Sequence, residues 1–148
     1  VMGLVAPLST IITPDMIETA QLSIEGMQDE SLNWVRQDLI ELEQAFAQIQ
    51  EAPDRAKLEV MREATLSIKS RAGTFGFHIP SQIARMLFIF LTADYMLGNK
   101  LHNQVVQQFI ESLKVIFATD IKGQTGVANE LVKELEGLVK RTGSRISS

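Results

Sequence analysis

The sequence has no cysteine, which excludes a disulfide framework, thiolate zinc sites and thiol nucleophiles. Histidine is nearly as scarce: His78 and His102 are the only two, too few for a histidine-rich metal site. A basic stripe is missing too. The formal net charge is -4 with 22% charged residues, a balance that argues against a binder of phosphate backbones, so no nucleic-acid partner is expected. No apolar run is long enough to span a bilayer; the longest, Met86 to Leu97, is interrupted by Thr92 and Asp94. Val1 to Leu8 is apolar but short and lacks a basic n-region, so no secretory signal is expected and the cytoplasm is the expected location.

Catalytic patterns are equally sparse. There is no Walker loop, no glycine-rich phosphate fingerprint and no Ser/His/Asp order. No Glu-x-x-His pair occurs, so a carboxylate-bridged di-metal bundle has no support. Glu41 and Glu43, like Glu134 and Glu136, stand two apart and point to different sides of a helix. Glu130 and Glu134 are one turn apart, but with Lys133 beside them they read as a charged surface. The expectation is a protein that is not an enzyme and uses no cofactor or metal.

What the sequence does have is apolar periodicity. Apolar residues make up 45% of 148, enough for a real core in one domain. Residues 1–13 read as a flexible leader, and residues 14–148 as a single helical domain. Thr13 and Pro14, with Asp15 and Glu18 in the first turn, signal a first helix reaching about Met27. A second, from Ser31 to about Glu51, carries a stripe of Val35, Leu39, Leu42 and Phe46 with Trp34 and Ile49 alongside. Asp54 to Phe77 forms a third, with Leu58, Met61, Thr65, Ile68, Ala72 and Phe75 inward. A fourth runs from Pro80 to Leu97, followed by Gly98-Asn99 as a C-cap signal. The fifth spans Leu101 to Thr119 with Val106, Phe109, Ile110, Leu113 and Phe117 inward. The sixth spans Val127 to Arg141 with Val127, Leu131, Leu135, Leu138 and Val139 inward. No strand alternation of useful length occurs, so the chain is expected to be an all-α antiparallel bundle. The fourth helix is apolar on most sides, which places it at the centre, under the first and sixth helices, or at a homodimer or partner interface.

The third helix carries the most information. At about 100° per residue, Leu66 falls roughly 140° from the middle of the core stripe. Glu63, Ser67, Ser70 and Gly73 share that outer side, with Arg62, Lys69 and Arg71 on its flanks. One apolar residue thus stands on a face of small and charged ones. Gly73 lies inside a helix, where it costs about 1 kcal/mol relative to alanine and signals a close approach. An outward leucine that packs on another helix of the same chain, and a glycine that serves helix packing, would look the same.

The run Ser67-Ile68-Lys69-Ser70-Arg71-Ala72-Gly73-Thr74-Phe75-Gly76-Phe77 resembles the signature of histidine phosphotransfer (HPt) domains. Ile68, Lys69, Ala72, Gly73, Phe75 and Gly76 fall in register with it, and Ile79-Pro80 and Ile83-Ala84 look like the start of the family's next helix. The similarity covers about Leu39 to Asp120. It implies a four-helix HPt core over residues 31–120 with additional N- and C-terminal helices. The departures matter most. Leu66 stands where the family has its phosphoacceptor histidine, Ser70 where it has an accessibility-giving glycine, and Arg71 where it has a small residue. Leucine has no nucleophile and cannot carry a phosphoryl group. Ser67 is a hydroxyl that does not exchange reversibly with an aspartyl phosphate, and His78 and His102 lie away from this position and read as surface or capping residues.

The resemblance implies a degenerate HPt-like signalling domain of a two-component phosphorelay. Its partner would be a response-regulator receiver domain or a histidine kinase, and its docking face would consist of Leu66, Lys69, Ser70, Arg71, Gly73 and Arg62. Leu66 would add apolar area where a hydrated imidazole stood, and Lys69 and Arg71 would face a receiver's acidic pocket. Without the signalling role, the same sequence describes a structural or dimerisation domain in which Leu66 is covered. No membrane partner is expected.

Overall fold

The computed structural model describes residues 14, 16 and 30–142. The expected leader and all but two residues of the expected first helix lie outside the described residues. Those residues form five α-helices and no strand: α1 Glu30–Glu51, α2 Arg55–Thr74, α3 His78–Ala93, α4 Lys100–Thr119 and α5 Val127–Arg141. They are the second to sixth helices expected from the sequence. None of them is long and apolar enough to cross a membrane.

The stripes read from the sequence turn inward except at Phe75, which lies past the end of α2, half-buried against the exposed Trp34. Val35, Leu39, Leu42, Phe46 and Ile49 on α1 are buried, as are Leu58, Met61, Thr65, Ile68 and Ala72 on α2. These residues repeat at three and four, so they share one side of a 3.6-residue helix and bury together. Trp34 sits just off its stripe and is exposed instead. The helices close a ring of neighbours: α1 packs on α2, α2 on α3, α3 on α4, and α4 back on α1. α5 covers the open side of α3 and α4. The apolar α3 is therefore packed by α2, α4 and α5, with Ile83, Ala84, Leu87, Phe90 and Leu91 fully buried and Phe88 and Ile89 half-buried. α4 is enclosed even further, with buried residues on most of its sides.

Three boundaries differ from the sequence reading, each for a local reason. α2 stops at Thr74 rather than Phe77: Gly76 adopts φ 81°, Phe77 N–H donates to Ala72 O at 2.8 Å, and Gly76 N–H donates to Gly73 O at 3.1 Å. This pair of bonds is a Schellman ending, which a glycine at positive φ makes cheap. α3 begins at His78 rather than Pro80, because proline within the first helical turn lacks only a donor that the helix would leave unused. It ends at Ala93 rather than Leu97, since Asp94 and Tyr95 N–H both donate back to Phe90 O. Asn99 is also not a C-cap of α3. Its side chain accepts the His102 N–H at 3.0 Å and starts α4.

Candidate functional site

The outer face of α2 lies between two walls, α1 and α3, and the six residues singled out from the sequence divide between them. Leu66 stands at 41% exposure on the ridge, one of four large apolar side chains at the described surface, with Trp34, Val60 and Met96. Ser70 and Gly73 are exposed beside it. Toward α3, Gly73 faces the first turn of that helix: a Cβ on Gly73 would lie 3.4 Å from Ser81 Oγ. The same Ser81 hydroxyl donates to Lys69 O at 2.8 Å. The close approach signalled by the glycine thus comes from inside the chain.

The two arginines are drawn into the fold. Arg62 reaches α3, where its Nε and Nη2 donate to Leu91 O at 3.2 and 3.0 Å, and its Nη1 pairs with Glu59. It caps a carbonyl at the end of α3 that the helix itself leaves open. Arg71 turns the other way. Its guanidinium lies 4.9 Å over the Trp34 ring and 3.6 Å from Asp38 Oδ2. Lys69 is the only cation of the three whose side chain pairs with no carboxylate among the described residues.

The α1 wall carries groups that the sequence reading passed over. Asp38 is buried and accepts the Ser67 hydroxyl at 2.8 Å. Burial pushes the Asp38 carboxyl above its ordinary pKa, while the Ser67 hydrogen bond and the Arg71 charge pull the other way. Trp34 stacks on Phe75 at 5.9 Å, and Phe75 leans on Phe77 at 6.2 Å. Trp34 and Asp38 are one turn apart on α1, as Ser67 and Arg71 are on α2, so the two pairs face each other across the groove. Gln37, Glu41, Val60 and Glu63 continue that groove.

Neither histidine belongs to this face by its contacts. His78 opens α3 and is exposed. His102 is half-buried in the first turn of α4, against Phe90 and Tyr95. No three His, Cys, Asp or Glu residues among those described could hold a metal ion. The face offers apolar contact at Leu66 and one cation at Lys69. Of the nearby hydroxyls, Ser67 is committed to Asp38 and Ser70 is exposed. No family model, no curated protein and no solved structure matches the chain.

Proposed function

We propose that this chain is a non-catalytic HPt-type four-helix domain that docks a receiver domain or histidine kinase of a two-component phosphorelay through α2, without carrying phosphate. The observation that carries this reading is the exposure of Leu66, at the register where the resembling family has its phosphoacceptor. Burial of a leucine against a partner contributes about 25 cal/mol per Å² of apolar area. The arginines support the face indirectly. Arg62 fixes α3 beside it and Arg71 fixes the α1 wall, which leaves Leu66 and Lys69 as the groups available to a partner.

The test uses the purified chain with receiver domains and kinases encoded in the same genome. Calorimetry is expected to find binding to at least one of them, weakened at least about tenfold by Leu66→Asp. A radiolabelled phospho-receiver is expected to keep its label in the presence of the chain. Absence of binding to every partner, or binding indifferent to Leu66→Asp, overturns the docking reading. Label appearing on the chain overturns the claim that it carries no phosphate.

A further inference from the structure

The turn between α3 and α4 is closed by Asn99 N–H donating to Met96 O at 3.0 Å and is tied to α4 by one imidazole nitrogen. Met96 N–H donates to Nδ1 of His102 at 3.0 Å. A ring nitrogen accepts only while it is unprotonated, so His102 is neutral here and carries its proton on Nε2. The same residue's backbone N–H is held by Asn99 Oδ1 at 3.0 Å, the cap that starts α4. The ring packs edge-on against Phe90 at 5.5 Å and against Tyr95 at 6.2 Å, and the Tyr95 hydroxyl donates to Asn103 Oδ1 at 2.6 Å. His102 is thus the point at which the turn, the end of α3 and the first turn of α4 are joined.

From this geometry we infer that the α3–α4 turn is a proton-operated latch, closed while His102 is neutral and released when the imidazole is protonated. A proton on Nδ1 turns the acceptor into a donor that confronts the Met96 N–H, and the hydrogen bond is replaced by repulsion. The turn then gives way at Met96, which is 61% exposed, between Tyr95 and Leu97, which stay packed on the core. Two titratable groups face the ring from the end of α3. The Asp94 charge favours the imidazolium, and Tyr95 titrates far above this range. Lys100 stands two residues before His102 in the same helical turn. Burial against Phe90 and Tyr95 outweighs Asp94 and holds the imidazole below its ordinary pKa. The folded chain therefore prefers the neutral ring. This contribution is present above the ordinary histidine pKa of about 6.5 and is lost as pH falls below it toward the folded value. The latch is independent of what α2 binds.

Nuclear magnetic resonance tests it on the full chain. The Met96 amide is expected to lose protection against hydrogen exchange, corrected for intrinsic rate, by roughly tenfold between about pH 7.5 and about pH 5, the opening that loss of one hydrogen bond allows. The Leu113 amide, in the core, is expected to stay protected and so to separate latch release from global unfolding. His102→Asn presents Oδ1 near the place of Nδ1 and cannot titrate, so Met96 protection is expected to become insensitive to pH. The latch is overturned if Met96 keeps its protection while the ring signals of His102 show protonation. It is equally overturned if the ring stays neutral to about pH 5, or if His102→Asn loses protection as the wild type does. The wild-type titration decides the matter without the variant if His102→Asn does not fold.

Discussion

Arg62 shows how a residue that looks like part of a binding surface can serve the fold. Its position on the flank of Leu66 suggested a docking cation, but its guanidinium fork closes on Leu91 O in the next helix. Arg62→Met keeps the aliphatic stem and leaves that carbonyl unpaired. The variant is expected to lose about 1–3 kcal/mol in urea unfolding, the range for a hydrogen bond with a charged donor. Leu66→Ala is expected to lose no more than about 0.5 kcal/mol in the same measurement, because Leu66 is exposed and leaves no cavity. A large loss for Leu66→Ala would mean that the residue serves packing. Arg71 follows the same logic as Arg62: its neighbours Trp34 and Asp38 come from another helix and could not be placed from the sequence of α2 alone.

Among the elements, α5 depends on a residue outside it. Gly126 at φ 89° starts the helix and offers no side chain to cap it. The cap comes from Asp120, whose two carboxylate oxygens accept Thr125 N–H at 2.8 Å and Ala128 N–H at 2.9 Å. Burial alone would raise the Asp120 pKa, but the hydrogen bonds from Ala128, Thr125 and Gln124 prevail and hold it below the usual carboxylate value. The folded value is depressed, so this contribution is present above the ordinary carboxylate pKa of about 3.9 and is lost as pH falls toward the folded value. Asp120→Ala is expected to cost about 1–2 kcal/mol at neutral pH and to lower amide protection first in the opening turn of α5. Uniform loss of protection across all helices would show that α5 does not open separately.

At the scale of the whole molecule, stability rests on the closed ring of four helices and on α5 across it. α4 supplies the largest share of fully buried residues, including Phe109, Ile110 and Leu113. Leu113→Ala is expected to cost about 2–5 kcal/mol, a substantial part of the roughly 5–15 kcal/mol available to a domain of this kind. Urea unfolding checks it, with the slope unchanged if the native state remains compact. The contrast with Leu66→Ala separates the two kinds of leucine: one fully buried on α4, the other on the ridge of α2.

The sequence by itself determined the five described helices, their inward stripes apart from Phe75, and the outward Leu66, because helix period and apolar spacing are properties of neighbours within about two turns. It also placed the start of α2 near Asp54 and α5 to its last residue, since those signals are local. The tertiary structure alone decided which polar groups meet. Ser67 and Arg71 find Asp38, Arg62 finds Leu91 O, and His102 finds Met96 N–H only when helices and turns are brought together. Those pairings also moved the boundaries, ending α3 at Ala93 and turning Asn99 from an expected stop into the start of α4. The physical reason is that a long polar side chain can reach several partners, and its choice is fixed by which backbone group the packed core leaves unsatisfied. Leu66 needed no such partner, so its outward position was readable from the helix alone.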